Sequence, residues 1–311
     1  MKRWFLIAFG AYMLLFAAMF LITGNTSKSV TILSVRETQS RLIDADEDSL
    51  DLGFYISDSD TFITDQTNIV GSSLKGNSSE MAVEVAGISI DMEPVRYRTE
   101  TFFPIRLTIN FQEVRIPGSE VVFADAALVL EYRNGASFDL ELGNLTLLFS
   151  DVTSPLHFDF NRLYAVMGDT EGRDYVAGIV IGMDCFTLGE IEIDRIDCGI
   201  EAVAIKLGSA TILDAAPSFD SDLETLVPGF DPYSDAMPSD SELMVGGAKY
   251  LFVPFGYPEG IDATIKRFYI VIDYEYFDQG YEFIIDDFVF YQHQPLVGDM
   301  DDEICRYLYQ Y

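Results

Sequence analysis

An alternation of apolar and acidic residues with a period of two constrains this chain more than any other feature. Phe138, Leu140 and Leu142 alternate with Asp139, Glu141 and Gly143, and Leu145, Leu147 and Phe149 resume the pattern on the other phase. Successive side chains of a strand point to opposite faces, so this spacing builds a half-buried strand. The one-residue slip at Gly143-Asn144 predicts a bulge or a tight turn. A second apolar run covers residues 127–132, with Asn134-Gly135 between the two. Asn-Gly suits the two positive-φ positions of a type I′ turn, so the runs are expected to pair as a hairpin.

The pattern returns at Ile191 and Ile193, at Ile196, Cys198 and Ile200, and at Val203, Ile205 and Leu207. Each phase slip marks a bulge or a new strand. Phe268, Ile270, Ile272, Tyr274 and Tyr276 form a further stripe, Asp278-Gln279-Gly280 reads as the turn, and residues 281–291 return as the partner strand. Many short strands bounded by Gly, Asn and Asp turns predict a mainly β chain, an antiparallel β-sandwich-like ectodomain. The helix candidates are residues 29–43 and 301–309.

The word ectodomain rests on the N-terminus. Residues 4–22 are uncharged and apolar, and nineteen residues at about 1.5 Å each cover roughly the hydrocarbon thickness of a bilayer. Lys2 and Arg3 precede them, which by the positive-inside tendency keeps the N-terminus cytoplasmic and sends the rest outward. Residues 1–23 therefore read as a membrane anchor or signal segment, a transmembrane or signal helix. Cleavage near Gly24 is the alternative, giving a secreted or periplasmic protein. Beyond it, residues 24–43 read as a stalk, 44–212 as the main β domain, and 213–245 as an acidic Pro/Ser-rich loop or linker. Residues 246–292 read as a C-terminal hairpin completing the main sheet, with a separate small domain as the alternative, and 293–311 as an acidic, Tyr-rich tail.

Composition narrows the function. Fifty-one Asp and Glu against nineteen Lys and Arg give a formal charge of −32, which argues against a nucleic-acid partner, since phosphate binding runs on clustered basic residues. Three Cys without a C-x-x-C pair and two His leave no zinc or redox motif. The G-x-S-x-G, G-x-x-x-x-G-K-[ST] and G-x-G-x-x-G patterns are absent. His157, flanked by Leu156 and Phe158, reads as a packing residue, and Cys198 in its apolar stripe as a small buried hydrophobe. Cys185 and Cys198 fall too far apart along paired strands for a disulfide.

Asp44, Asp46 and Asp48 open a D-x-D-x-D run, a spacing by which carboxylates wrap calcium. Ser49 then stands where an EF-hand loop needs Gly, and Tyr55 where it needs the closing Glu. The leading expectation is thus an exported, membrane-anchored, non-catalytic binding or structural protein of the cell envelope. It would contact the membrane through residues 4–22 and a protein or surface glycan through its strands or loops. A calcium-dependent surface binding module is the second reading. A glycan-active hydrolase is the third, for which no carboxyl pair is singled out by sequence.

Overall fold

The computed structural model describes residues 30–44, 49–111, 118–151, 154–170, 173–217, 226, 228–229, 231–233, 243–258, 260, 265–289 and 308–310. The apolar segment 4–22, Asp46, Asp48 and Cys305 lie outside them. Among the described residues the chain forms nineteen strands.

The first nine build an N-terminal lobe. They are β1 (Ile32–Val35), β2 (Glu37–Ile43), β3 (Ser49–Ile56), β4 (Ile69–Lys75), β5 (Glu80–Ile90), β6 (Val95–Tyr97), β7 (Glu100–Phe111), β8 (Ser119–Tyr132) and β9 (Ser137–Phe149). One layer runs β2-β9-β8-β4 and the other β7-β3-β1. Strand β5 belongs to both: residues 80–82 pair with β4, and residues from Val83 onward pair with β7. The sheet thereby folds over onto itself. Alternation does the rest, with Leu50, Leu52 and Phe54 of β3 facing Leu128 and Leu130 of β8 in one core. Full burial of each such side chain is worth about 1.5–3 kcal/mol.

A second lobe follows, made of β10 (Phe158–Thr170), β11 (Arg173–Cys185), β12 (Ile191–Asp197), β13 (Ala204–Ile205), β14 (Thr211–Leu213), β15 (Leu243–Val245), β16 (Ala248–Gly256), β17 (Ile265–Tyr276) and β18 (Gln279–Val289). Its layers are β10-β11-β16, edged by β13 and β14, and β15-β12-β17-β18. Between them lie Ile179, Ile181 and Met183 against Ile193, Ile270 and Ile272. The last strand, β19 (Leu308–Gln310), returns to pair with β1.

The lobes share a sheet through β2. It runs parallel to β9 from Glu37↔Gly143 to Ile43↔Phe149, and parallel to β17 at Ile265↔Thr38 and Arg267↔Gln39. Parallel pairing on both edges buries all seven of its residues.

Several expectations change here. Residues 32–43, read as a stalk and as a helix candidate, are strands β1 and β2. Their polar text hides a strand because its side chains find partners at the joint between lobes. The two cores divide at residues 150–157, inside the expected 44–212 block, and residues 248–289 pair with β11, β12, β13, β14 and β2. The hairpin of β8 and β9 forms with the slip at Gly143, whose φ is +92°, but its turn is not type I′. Only Gly135 has positive φ (83°), and Asn134 Oδ1 instead accepts from Ala136 N at 3.0 Å. This is a three-residue loop with a bulge glycine. In the β17–β18 hairpin the turn lies at Phe277-Asp278, with φ of 51° and 58°, one residue earlier than expected, because Tyr276 pairs with Gln279. Of the helix candidate 301–309, residues 301–307 lie outside the described residues and Leu308 opens β19.

Candidate functional site

Two places concentrate polar or exposed chemistry. The first is the joint. Glu37, Thr38, Gln39, Ser40 and Arg41 are all buried there. Ser40 Oγ donates to the Cys198 carbonyl at 2.5 Å and accepts from Tyr269 N at 3.3 Å, tying the N-terminal lobe to both β17 and the segment after β12. Leu42, Leu148, Tyr269 and Ile284 pack beside it, and Tyr269 Oη donates to Glu120 Oε2 at 2.9 Å. Burial first, and then that carboxylate, push the Tyr269 phenol above its ordinary range. Gly143 is required at this place: a Cβ there would lie 2.3 Å from the Glu37 carbonyl oxygen. Burial raises the Cys198 thiol to about 12, which keeps it protonated near neutrality. Cys185, donating to the Val245 carbonyl at 3.7 Å, is raised to about 11 by the same cause, and neither cysteine is bridged.

The second place is the far end of the C-terminal lobe. From its contact with β2, strand β17 runs eleven residues to Tyr276, about 36 Å at roughly 3.3 Å per residue. Four connections meet there. The approach to β10 brings Leu156 and His157, the β11–β12 loop brings Phe186 and Leu188, the β17–β18 turn brings Phe277, and the β15–β16 turn at Gly246-Gly247 lies beside Glu190, with the Gly247 carbonyl accepting from Cys185 N at 3.0 Å. Their proximity is fixed by ring contacts and pairing. The His157 ring lies 4.5 Å from both Tyr276 and Tyr281, its Nδ1 is 3.2 Å from Tyr274 Oη, and Tyr274 stacks on Tyr281 at 5.4 Å. Phe158 pairs with Cys185, which precedes Phe186, and a Cβ on Gly189 would touch the Tyr276 ring at 3.8 Å. His157 is therefore a half-buried member of an aromatic floor, as a packing residue should be. Above that floor the side chains face solvent: Leu188 is 104% exposed, Phe277 81%, Leu156 65% and Phe186 59%.

Sequence reasoning missed this pole. The signal was present in part, since Phe186-Thr187-Leu188-Gly189 sets large apolar residues in a loop beside a glycine. Nothing local, however, shows that Leu156 and Phe277 come to the same end.

Of the calcium candidates, Asp44 directly follows β2, while Asp46 and Asp48 lie outside the described residues. Among the described residues no group of three or more His, Cys, Asp or Glu is arranged to hold a metal ion. Among them, too, no helix is long and apolar enough to cross a membrane.

The described residues define an all-β protein of two sandwich-like lobes sharing one sheet. No protein-family model matches the chain, and no curated protein matches it. Solved structures overlap it loosely. A titin A168169 structure aligns at 9% identity over 81% of this chain and 94% of its own, with a TM-score of 0.19. The D00-D0 domain of intimin aligns at 9% identity over 84% and 100%, with a TM-score of 0.18. A protein of unknown function from Porphyromonas gingivalis W83 aligns at 12% identity over 83% and 99%, with a TM-score of 0.23. The architecture above rests on the chain's own strand pairing.

Proposed function

We propose that this chain is an exported, membrane-anchored protein of the cell envelope with a non-catalytic role in binding or structure. Export and anchoring rest on the uncharged apolar run 4–22 behind Lys2 and Arg3, and the binding or structural role on strand β2, buried between the lobes and paired to both, which joins two sets of β layers into one continuous body. Such a body suits holding a binding surface at a fixed distance from an anchor. The direction of the strands supports this. The described chain enters at Val30, ahead of β1 and β2, whereas β17 runs onward in the sense of β2 to the exposed pole. An anchor at residues 4–22 would then lie toward one end of the body and the pole toward the other. Surface digestion tests the reading. The full chain, expressed in bacterial cells with a C-terminal epitope, is treated with protease before and after lysis. The outward-facing reading expects the epitope to be lost from intact cells while the protein stays with alkali-washed membranes. Protection in intact cells, or release by the wash, overturns it.

A further inference from the structure

We propose that the pole of the C-terminal lobe is a docking surface for a cationic polypeptide segment bearing apolar side chains. The proposal deepens the binding reading above and rests on it, though not on its membrane part. Leu156, Phe186, Leu188 and Phe277 are all exposed on the connections at one end of the lobe, where a single exposed apolar residue would be ordinary and four are not. They project from short, constrained connections. The β17–β18 turn has two residues, both at positive φ, and the β11–β12 loop has five, so neither can fold back to cover its own side chains. Beneath them Tyr274, Tyr276, Tyr281 and His157 form a packed aromatic base, which holds the rim residues in place before any partner arrives.

Charge decides the occupant. The segments that build the pole, residues 154–160, 184–192, 244–249 and 274–280, contain Asp159, Asp184, Glu190, Glu192, Glu275 and Asp278 against one cation, Lys249, which is paired with Asp214. Asp159 and Asp184 are exposed cross-strand neighbours on β10 and β11. Like charges placed opposite one another across strands oppose folding slightly, and a cationic partner relieves them. An anionic bilayer or a second copy of this acidic chain would instead meet repulsion. Apolar side chains that bury against the pole, with Lys or Arg set to face the carboxylates, match both features at once.

The test uses the purified full chain in mild non-ionic detergent, with detergent alone as the blank. The probe is a labelled twelve-residue peptide of alternating Lys and Leu, compared with alternating Lys and Ser and with alternating Glu and Leu. The Lys/Leu peptide should bind at least tenfold more tightly than either control, and binding should weaken as salt is raised. The L188S/F277S double variant, changed only at exposed positions, should keep its melting temperature and lose at least tenfold in affinity. Its charge equals that of the parent, so unchanged binding by this variant means attraction to net charge alone and overturns the proposal. Equal binding of the Lys/Ser or Glu/Leu peptide overturns it too. So does pole-dependent dimerisation, or pole-dependent binding to anionic vesicles, in place of peptide binding. Surface digestion is scored separately, so a failed pole with an exposed epitope removes this inference and leaves the broader reading standing.

Discussion

The β3–β4 connection of the N-terminal lobe and the pole of the C-terminal lobe treat their apolar residues in opposite ways. In the N-terminal lobe, the β3–β4 connection turns inward over the end of the core. Ile63 is buried, Phe62 meets Tyr132 edge-on at 5.4 Å, and Tyr132 Oη donates to the Ile63 carbonyl at 3.2 Å. The loop is long enough to bend and carries its own fasteners. Asp65 Oδ1 accepts from Thr67 N and Oγ1, and Gln66 Nε2 donates to the Val85 carbonyl at 2.6 Å. At the pole of the C-terminal lobe the loops are short, and Leu188 and Phe277 stay in water. Apolar loop residues alone therefore do not mark a binding surface. Loop length and hydrogen-bonding decide whether they cap a core or face outward.

The sharpest way to break this contrast is to truncate one apolar side chain on each side of it. Tyr132→Ala should cost about 3–5 kcal/mol, the range for large aromatic truncations in a core, read from urea unfolding. Leu188→Ser or Phe277→Ser should stay within about 0.5 kcal/mol. A large loss at the pole would show that it is core and not surface. Next, Gly143→Val places a branched side chain at positive φ and against the Glu37 backbone, with an expected cost of about 3 kcal/mol. Because β2 is paired to both lobes, the loss should appear in one shared transition. Two separated transitions would show that the lobes unfold independently. Tyr269→Phe removes the hydroxyl that meets Glu120 and should cost about 1 kcal/mol.

The pH dependence has an acid limb, to which Asp65 contributes, and an alkaline limb, to which the two buried cysteines contribute. Asp65 is lowered by its hydrogen bonds from Thr67, so its contribution is present above the unfolded value of 3.8 and is lost as pH falls through the lower folded value. Asp65→Asn should flatten the acid limb of stability. Cys185 and Cys198 are raised from 9.0 to about 11 and about 12, so their contribution is complete below pH 9 and is lost as pH rises through those values. Replacing both by Ala should reduce the steepness of alkaline unfolding, and no change would contradict the burial assigned to them. The smallest effect concerns calcium. The melting temperature in millimolar calcium is expected to match that in EDTA, and a rise absent with magnesium would assign the run at Asp44, Asp46 and Asp48 to a metal site after all.

Much of the β architecture is legible in the chain because alternation is a local property. Leu128 and Leu130 against Phe138 and Leu140, with the slip at Gly143, can be read without knowing any other strand. The turns were legible in place but not in type, since Asn134 spends its side chain on Ala136 instead of adopting positive φ. Strand β2 could not be read. Its Glu, Thr, Gln, Ser and Arg describe an exposed segment to any local rule, and partners far along the chain, strands β9 and β17 and the Cys198 carbonyl among them, make a buried strand of it. The pole escaped for the same reason, because its segments are separated by dozens of residues.

What the sequence determined by itself is the mainly β character, the phase of the apolar stripes in β9 and β17 and the acidity of the chain, all set by side chains within a few residues of one another. The tertiary structure decided where the two cores divide, that a polar strand joins them, and which loop residues face water. Those outcomes depend on which strands become neighbours, and neighbouring across a sheet is settled by the burial of whole faces, to which no short stretch of chain has access.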